Sequence, residues 1–312
     1  MDNKEKNFIS VVVYVHNAEL QIEKFLDVIT SVLYNHFEHS EIICVNDGSA
    51  DNSVEIIKAF SKNVAVSSIT VLNMSYFHGL EMAMNAGIDL TIGDFVFEFD
   101  STVVDYEKEE IMNVYYKSLQ GYDIVSASPD KGEKISSQVF YKVFDHFANL
   151  SYKMSTERFR ILSRRVINRI SSMNKTIPYR KVVYANSGLK TDNLKYNTIS
   201  VSAQTTDKRE KRYRFGLAID SLILFTEIGY RLSMMMAVLM MTVSVFMVLY
   251  SVVIYLAADP VTGWTTTILF LSVAFAGLFG ILTIVIKYLQ LIVNLVFRRK
   301  HYSFESIEKL TK

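Results

Sequence analysis

Acids stand where two apolar runs end. Asp47 follows Ile42-Ile43-Cys44-Val45-Asn46 and opens the stretch Asp47-Gly48-Ser49-Ala50-Asp51-Asn52-Ser53. Asp100 closes Phe95-Val96-Phe97-Glu98-Phe99 and leads into Ser101-Thr102. Glu98 lies two residues before Asp100, so in an extended chain both carboxylates leave the same face. An acid inside an apolar strand is costly unless a neighbouring donor holds it or it is put to use, and both readings of Glu98 stay open. Asp47-Gly48 is a turn dipeptide, and Asp51 or Asn52 can cap a following helix. A third polar cluster, Tyr14-Val15-His16-Asn17-Ala18-Glu19, follows the run Phe8–Val15. A fourth is basic: Arg158-Phe159-Arg160-Ile161-Leu162-Ser163-Arg164-Arg165, preceded by Glu157. Arginine cannot accept a proton at neutral pH but can grip a phosphate with two parallel bonds. The plain alternative for each base is a solvated or snorkelling side chain.

Regular elements must position these groups. Phe8–Val15 is a continuous β-branched run, as expected of a strand covered on both faces. Glu19–Tyr34 has Leu20, Phe25, Leu26, Ile29, Val32 and Leu33 at helical spacing. Glu41–Val45 is a second strand, and Asn52 opens a helix carrying Val54, Ile56, Ile57 and Phe60. A strand over 64–72, a helix over 79–91, a strand over 95–99, a helix over 106–119 and a strand over 123–126 complete the pattern. Strands alternating with helices predict an α/β fold with a mostly parallel sheet. Ligands on such sheets bind beyond the carboxyl ends of the strands, where the acids of the first three clusters fall.

Composition divides the chain in two. Of 33 Lys+Arg and 32 Asp+Glu, 27 bases and 29 acids precede residue 232. That slightly acidic balance argues against a nucleic-acid binder driven by bulk charge. The single cysteine, Cys44, sits in an apolar run and excludes a disulfide scaffold. The polar start Met1–Asn7 is not a signal peptide. No charge occurs over 232–258 or over 260–286, and a helix needs about 20 residues to cross a bilayer. Two spans are expected, Leu232–Ala257 and Thr265–Ile286, joined by a turn containing Pro260 and Gly263 and ending on Trp264. Bases precede the first span (Lys208, Arg209, Lys211, Arg212, Arg214, Arg231) and follow the second (Arg298, Arg299, Lys300), while the turn has none. Positive-inside logic puts both ends in the cytoplasm. Residues 214–231 are either an amphipathic helix at the interface or the extended start of the first span.

These motifs resemble the family 2 glycosyltransferases, whose soluble part is a nucleotide-sugar-binding GT-A domain. Val45–Ser53 (VNDGSADNS) is close to that family's VNDGSTDNS, Ile9–Glu19 resembles ISVVIPVYNEE, and His78–Asp100 resembles the stretch ending in GDYVVFLDAD. More narrowly, the chain is similar to the membrane-anchored branch that loads sugar onto a polyprenyl phosphate, the dolichol-phosphate mannose synthases and bactoprenol glucosyltransferases. Arg158–Arg165 resembles that branch's DFRLLSRR, Lys211-Arg212-Tyr213 stands where it has SKY, and the two spans follow its tail. The resemblance covers nearly the whole chain.

The resemblance implies roles. Asp47, with Gly48 and Ser49, would receive the uracil-like edge of the nucleotide. Tyr14, His16 and Glu19 would pack on the base, Tyr14 standing where the family has proline. Asp100 would touch the nucleotide sugar and hold Mg²⁺ or Mn²⁺, with Glu98 as a second acid. Thr102 replaces the second acid of the DxD motif, and a hydroxyl is a weaker ligand for a hard cation. Arg158 replaces the acid of DFR, leaving Glu157 as the candidate base. Arg158, Arg164, Lys211 and Arg212 would grip the acceptor phosphate, and Arg160 joins Asp100 and Glu157 among the catalytic candidates.

The expected organisation is a cytosolic GT-A domain (1–213), a juxtamembrane segment (214–231), a two-helix hairpin (232–297) and a basic cytosolic tail (298–312). The expected activity is transfer of one sugar from a nucleotide sugar, UDP-linked by the resemblance, to a polyprenyl phosphate at the cytosolic membrane face. No QxxRW motif of processive synthases is present. Two alternatives stay open: a degenerate member acting as a membrane partner, and a transferase using another lipid or glycan. Expected partners are the nucleotide sugar, the lipid and the membrane, with no nucleic acid; a homo-oligomer is left open.

Overall fold

Ile9–Val15 forms β1, and all seven residues are buried, which is why the strand shows no polar alternation. It lies between two parallel neighbours, β2 (Ser40–Asn46) and β4 (Phe95–Phe99). β2 continues to β3 (Ser68–Met74), also parallel. Beyond β4 comes β6 (Phe159–Ser163), antiparallel to β4 and to β5 (Ile124–Pro129); β7 (Thr191–Tyr196) runs parallel to β5. On the far edge β8 (Phe304–Lys309) runs antiparallel to β3. The eight-stranded order is β7-β5-β6-β4-β1-β2-β3-β8, a mostly parallel mixed sheet.

The computed structural model describes residues 4–64, 68–130, 142, 156–172, 179–185, 187–199, 212–213, 215–220, 235–236, 239–240, 242–243, 246, 263–297 and 304–311. They divide into two units. One comprises 1–145, 149–217 and 299–312; the other comprises 146–148 and 218–298.

In the first unit, helices cover both faces of the sheet. Helix α1 (Ile22–His36) buries Ile22, Phe25, Leu26, Ile29, Val32 and Leu33, a stripe at three- and four-residue spacing. That stripe packs with Val11, Val13 and Val15 of β1 and with α4 (Glu109–Leu119). The opposite face of β1, Val12 and Tyr14, packs on α3 (Leu80–Asp89). Helix α2 (Ser53–Ser61) follows β2, and Asp51 rather than Asn52 bonds its start, accepting from the Ser53 amide at 3.1 Å. Two further short helices, α5 (Arg164–Ser172) and α6 (Arg180–Ala185), follow β6. From β1 the chain steps outward to β2 and β3, then returns to the other side of β1 as β4. The crevice beyond the carboxyl ends of β1, β2 and β4 is therefore a topological switch point.

In the second unit, helix α7 runs from Trp264 to Phe297. Lys287 Nζ lies 3.0 Å from Asp220 Oδ1, and Met240 fills the space that a Cβ on Gly277 would need. Among the described residues no helix is long and apolar enough to cross a membrane, so the two expected spans are not confirmed. Most of 232–257 and many side chains of α7 lie outside the described residues.

Candidate active site at the carboxyl ends of the strands

β2 ends at Asn46, and the backbone reverses through Gly48 at φ 64°. Only glycine takes this turn at little cost, and a Cβ there would also stand 3.2 Å from the Phe77 amide nitrogen. The turn brings Asp47 under the segment Tyr76–Gly79. Its carboxylate is 0% exposed and accepts three bonds. The His78 amide donates to Oδ1 at 2.7 Å; the Gly79 amide and the Tyr14 hydroxyl donate to Oδ2 at 2.8 and 3.0 Å. His16 donates from Nδ1 to the Asp47 carbonyl at 2.8 Å. Four residues from two segments are thus tied to Asp47.

The strand-one loop interlocks with the same turn. The Asn17 amide donates to Ser49 Oγ at 3.1 Å, and the Ala50 amide donates to Asn17 Oδ1 at 2.9 Å. Glu19 turns toward the head of α2, where its carboxylate accepts from the Asn52 amide at 3.1 Å. Around Asp47 lie the rings of His16 and Phe77, 4.9 Å apart, and Tyr213, 6.1 Å from Phe77. Gly79, at φ 85°, has no Cβ to collide with the Tyr213 ring. Burial pushes the Tyr213 hydroxyl well above its usual range, so it stays neutral. Aromatic faces beside backbone amides can hold a planar base.

At the end of β4 the acids meet arginines. Arg160 pairs with Glu98 across the β4–β6 ladder. It donates from Nη1 to Glu98 at 2.9 Å, from Nη2 to Asp100 Oδ2 at 2.9 Å, and from Nε to Glu157 at 3.0 Å. Arg180, from the head of α6, donates from Nη2 to Asp100 Oδ1 at 2.7 Å and from Nε to Glu81 at 2.9 Å. Its Nη1 approaches Glu98 Oε2 at 3.1 Å without an aligned hydrogen bond. Tyr184 donates its hydroxyl to Glu98 Oε1 at 2.6 Å. Arg160 is 1% exposed and Arg180 0%. Burial disfavours ionised Asp100, but the two guanidiniums outweigh it and hold the carboxyl well below the usual range. A cavity of about 20 Å³ beside Arg160, Glu157, Lys181 and Tyr184 has room for one water.

Several expected placements change. Glu98 is 0% exposed and accepts from Arg160 and Tyr184, which is the arrangement of a buried carboxylate held by neighbouring donors. Arg158 makes a bidentate pair with Asp105, which also accepts from the Tyr196 hydroxyl at 3.0 Å. A phosphate would have to compete with that carboxylate. Arg164 is corrected outright. It follows the far end of β6 and bonds the Gly93 carbonyl, before β4 begins. Four strand residues past Arg160 place it roughly 13 Å from the crevice, at the amino ends of the parallel strands. Glu157 is paired with Arg160, Arg212 is exposed, and Lys211 lies outside the described residues.

A divalent cation does not fit these residues as they stand. Both Asp100 oxygens carry guanidinium donors, and Thr102 is buried with its hydroxyl directed at Gln21, 3.4 Å away. Among the described residues no group of three or more His, Cys, Asp or Glu is arranged to hold a metal. Sequence reasoning missed Arg180, Glu81 and Tyr184. Arg180 sits in no motif, but Glu81 had a signal: an acid on the apolar face of α3 between Leu80 and Ala83.

Comparisons with known proteins agree with this fold. The family model "Glycosyl transferase family 2" matches residues 10–174. An uncharacterized glycosyltransferase of Synechocystis is 31% identical over 188 residues, 57% of each chain. The uncharacterized glycosyltransferase YkcC of Bacillus subtilis is 26% identical over 86% of this chain and 84% of its own. A prophage bactoprenol glucosyl transferase homolog of Escherichia coli is 30% identical over 60% of this chain and 62% of its own. The first and third of these relatives are thus matched over about three fifths of their length. Among solved structures, glucosyl-3-phosphoglycerate synthase of Mycobacterium tuberculosis with phosphoglyceric acid has a TM-score of 0.54 at 16% identity, covering 70% of this chain and 79% of that one. The same enzyme with Mn²⁺, uridine diphosphate and phosphoglyceric acid has a TM-score of 0.51 at 18% identity, covering 70% and 78%. These likenesses establish a shared GT-A-like fold.

Proposed function

The chain belongs to glycosyl transferase family 2, and we propose that it moves one sugar from a nucleotide sugar to a polyprenyl phosphate at the cytosolic face of a membrane. The observation that carries this reading is the crevice at the switch point, where Asp47 and its aromatic surround end β2 and Asp100 ends β4. Similarity to the bactoprenol glucosyl transferase homolog supports the lipid acceptor. A structural neighbour that holds uridine diphosphate supports a UDP-linked donor. In the proposed reaction a phosphate oxygen of the lipid attacks the anomeric carbon. The bond from that carbon to the donor's diphosphate breaks, and the electron pair leaves with the nucleoside diphosphate. An ionised phosphate is already a nucleophile, so no proton need be removed. The aromatic surround of Asp47 would hold the base, Asp100 would face the sugar, and the exposed Arg212 would meet the acceptor phosphate.

The membrane hairpin at 232–297, flanked by the catalytic domain and juxtamembrane segment before it and the tail after it, is part of this proposal. Leu271, Phe275, Leu278, Leu282 and Leu289 of α7 are each 48–58% exposed. Such a stripe is disfavoured in water and suits lipid. β8 gives a second argument. It is hydrogen-bonded to β3 in the catalytic sheet, so the chain between them crosses a membrane an even number of times. The basic flanks then favour a cytosolic domain and tail.

A second reading, a family member that has kept the fold and lost transfer, is favoured by one observation: buried arginines engage both oxygens of Asp100. One experiment separates the two. Membranes containing the chain are incubated with labelled nucleotide sugars and polyprenyl phosphate, and charged lipid product is sought. Product supports transfer; none from any donor sinks it in favour of the degenerate reading.

A further inference from the structure

Asp100 ends the buried strand β4 at the crevice, yet its oxygens are already committed. Arg160 holds Oδ2 at 2.9 Å and Arg180 holds Oδ1 at 2.7 Å. Glu98, the other acid on this face, is held by Arg160 at 2.9 Å and Tyr184 at 2.6 Å. A hard dication needs about six oxygen ligands at 2.0–2.6 Å. Admitting one here would push two buried guanidiniums away from their acids and leave them beside a double positive charge, a strongly unfavourable arrangement.

We propose that Arg180, together with Arg160, is the chain's own cation at this position, and that the site works without a divalent metal. Arg180 is a positioning residue: it fixes Asp100 and touches no reactant. Its attachment supports this. The Arg180 amide and Nε both donate to Glu81 Oε2, each at 2.9 Å, which pins the head of α6 to α3. A guanidinium held at both backbone and side chain does not swing out to make room for an ion. Two guanidiniums face four acids, Glu98, Asp100, Glu81 and Glu157, so both arginines are taken up by carboxylates and leave no surplus positive charge to bind the donor's diphosphate.

The test is a titration of the purified full-length chain with Mn²⁺ alone, reading bound metal by loss of the free-ion electron paramagnetic resonance signal. Wild type and Asp100→Asn should bind the same amount, with no stoichiometric site. Arg180→Met should gain one Mn²⁺ per chain, and Arg180→Met/Asp100→Asn should lose it. Stoichiometric Mn²⁺ on wild type that Asp100→Asn abolishes would overturn the proposal, as would a folded Arg180→Met chain that binds none. If circular dichroism shows Arg180→Met unfolded, wild type against Asp100→Asn still decides. For turnover the inference rests on the transferase reading, and a chelator should then leave product formation unchanged. A chain with neither product nor Mn²⁺ site would remove that reading and leave this one standing.

Discussion

Arg180 donates from Nη2 to Asp100 Oδ1 at 2.7 Å across 80 positions of sequence, and this bond dictates how either residue responds to mutation. Removing one partner of a buried pair leaves the other charge uncompensated, at a cost of about 3–5 kcal/mol. Arg180→Met, which takes from Glu81 the guanidinium that holds it and from Asp100 one of its two, should fall in that range. Arg180→Met combined with Asp100→Asn should cost clearly less than the two single changes added together, because they share one interaction. Urea unfolding of the four proteins measures this, and strict additivity would show that the pair is not coupled.

The same pair sets an acid limit. The folded Asp100 carboxyl lies well below the usual range, so its contribution to stability is fully present above the unfolded value of about 3.9. Below that pH the unfolded chain takes up a proton that the folded chain refuses, and the contribution shrinks as pH falls toward the folded value. The stability gap between wild type and Asp100→Asn should therefore be flat from pH 7 to about 5 and narrow below about 4. Unfolding midpoints across that range test it; a gap that widens in acid would mean that Asp100 is not held ionised.

The sheet was legible wherever burial wrote a pattern. β1, β2 and β4 read as apolar runs, and α1 read as a stripe, because both are covered on faces that water never reaches. β6 and β8 were not legible. β6 carries Arg160 as its second residue, a buried charge held by Glu98 opposite and by Asp100 and Glu157, and β8 is an edge strand with alternate residues exposed. The acids of the site were legible from where they end strands. Their partners were not, since Arg180 comes from a six-residue helix brought in by tertiary packing. Arg164 misled because sequence proximity to Arg160 says nothing about which end of the strand a residue occupies.

Gly48 offers a test of the Asp47 turn. At φ 64° an alanine is strained by about 1–2 kcal/mol, and its methyl would press on the Phe77 amide nitrogen at 3.2 Å. Gly48→Ala should lower stability by about that amount and weaken binding of uridine diphosphate, because Phe77 and the His78 and Gly79 amides must shift together. Calorimetry with the free nucleotide reads the second effect. Unaltered affinity in a destabilised protein would separate the turn from the base site.

The single cysteine makes the topology testable. Cys44 is 0% exposed, and burial pushes its thiol up to about 12, so at neutral pH it has almost no thiolate and no access to reagent. The native chain should therefore stay unlabelled by a membrane-impermeant maleimide, even after the membrane is opened. Two single additions then report position: Thr262→Cys in the turn between the expected spans, and Lys309→Cys on the exposed side of β8. In intact cells Thr262→Cys should be labelled from outside. Lys309→Cys should be labelled only after permeabilisation, because β8 is bonded to β3 and must share the catalytic domain's compartment. Labelling of both from outside would place the catalytic sheet outside the cytosol. Labelling of neither until permeabilisation would mean that 232–297 does not cross the membrane.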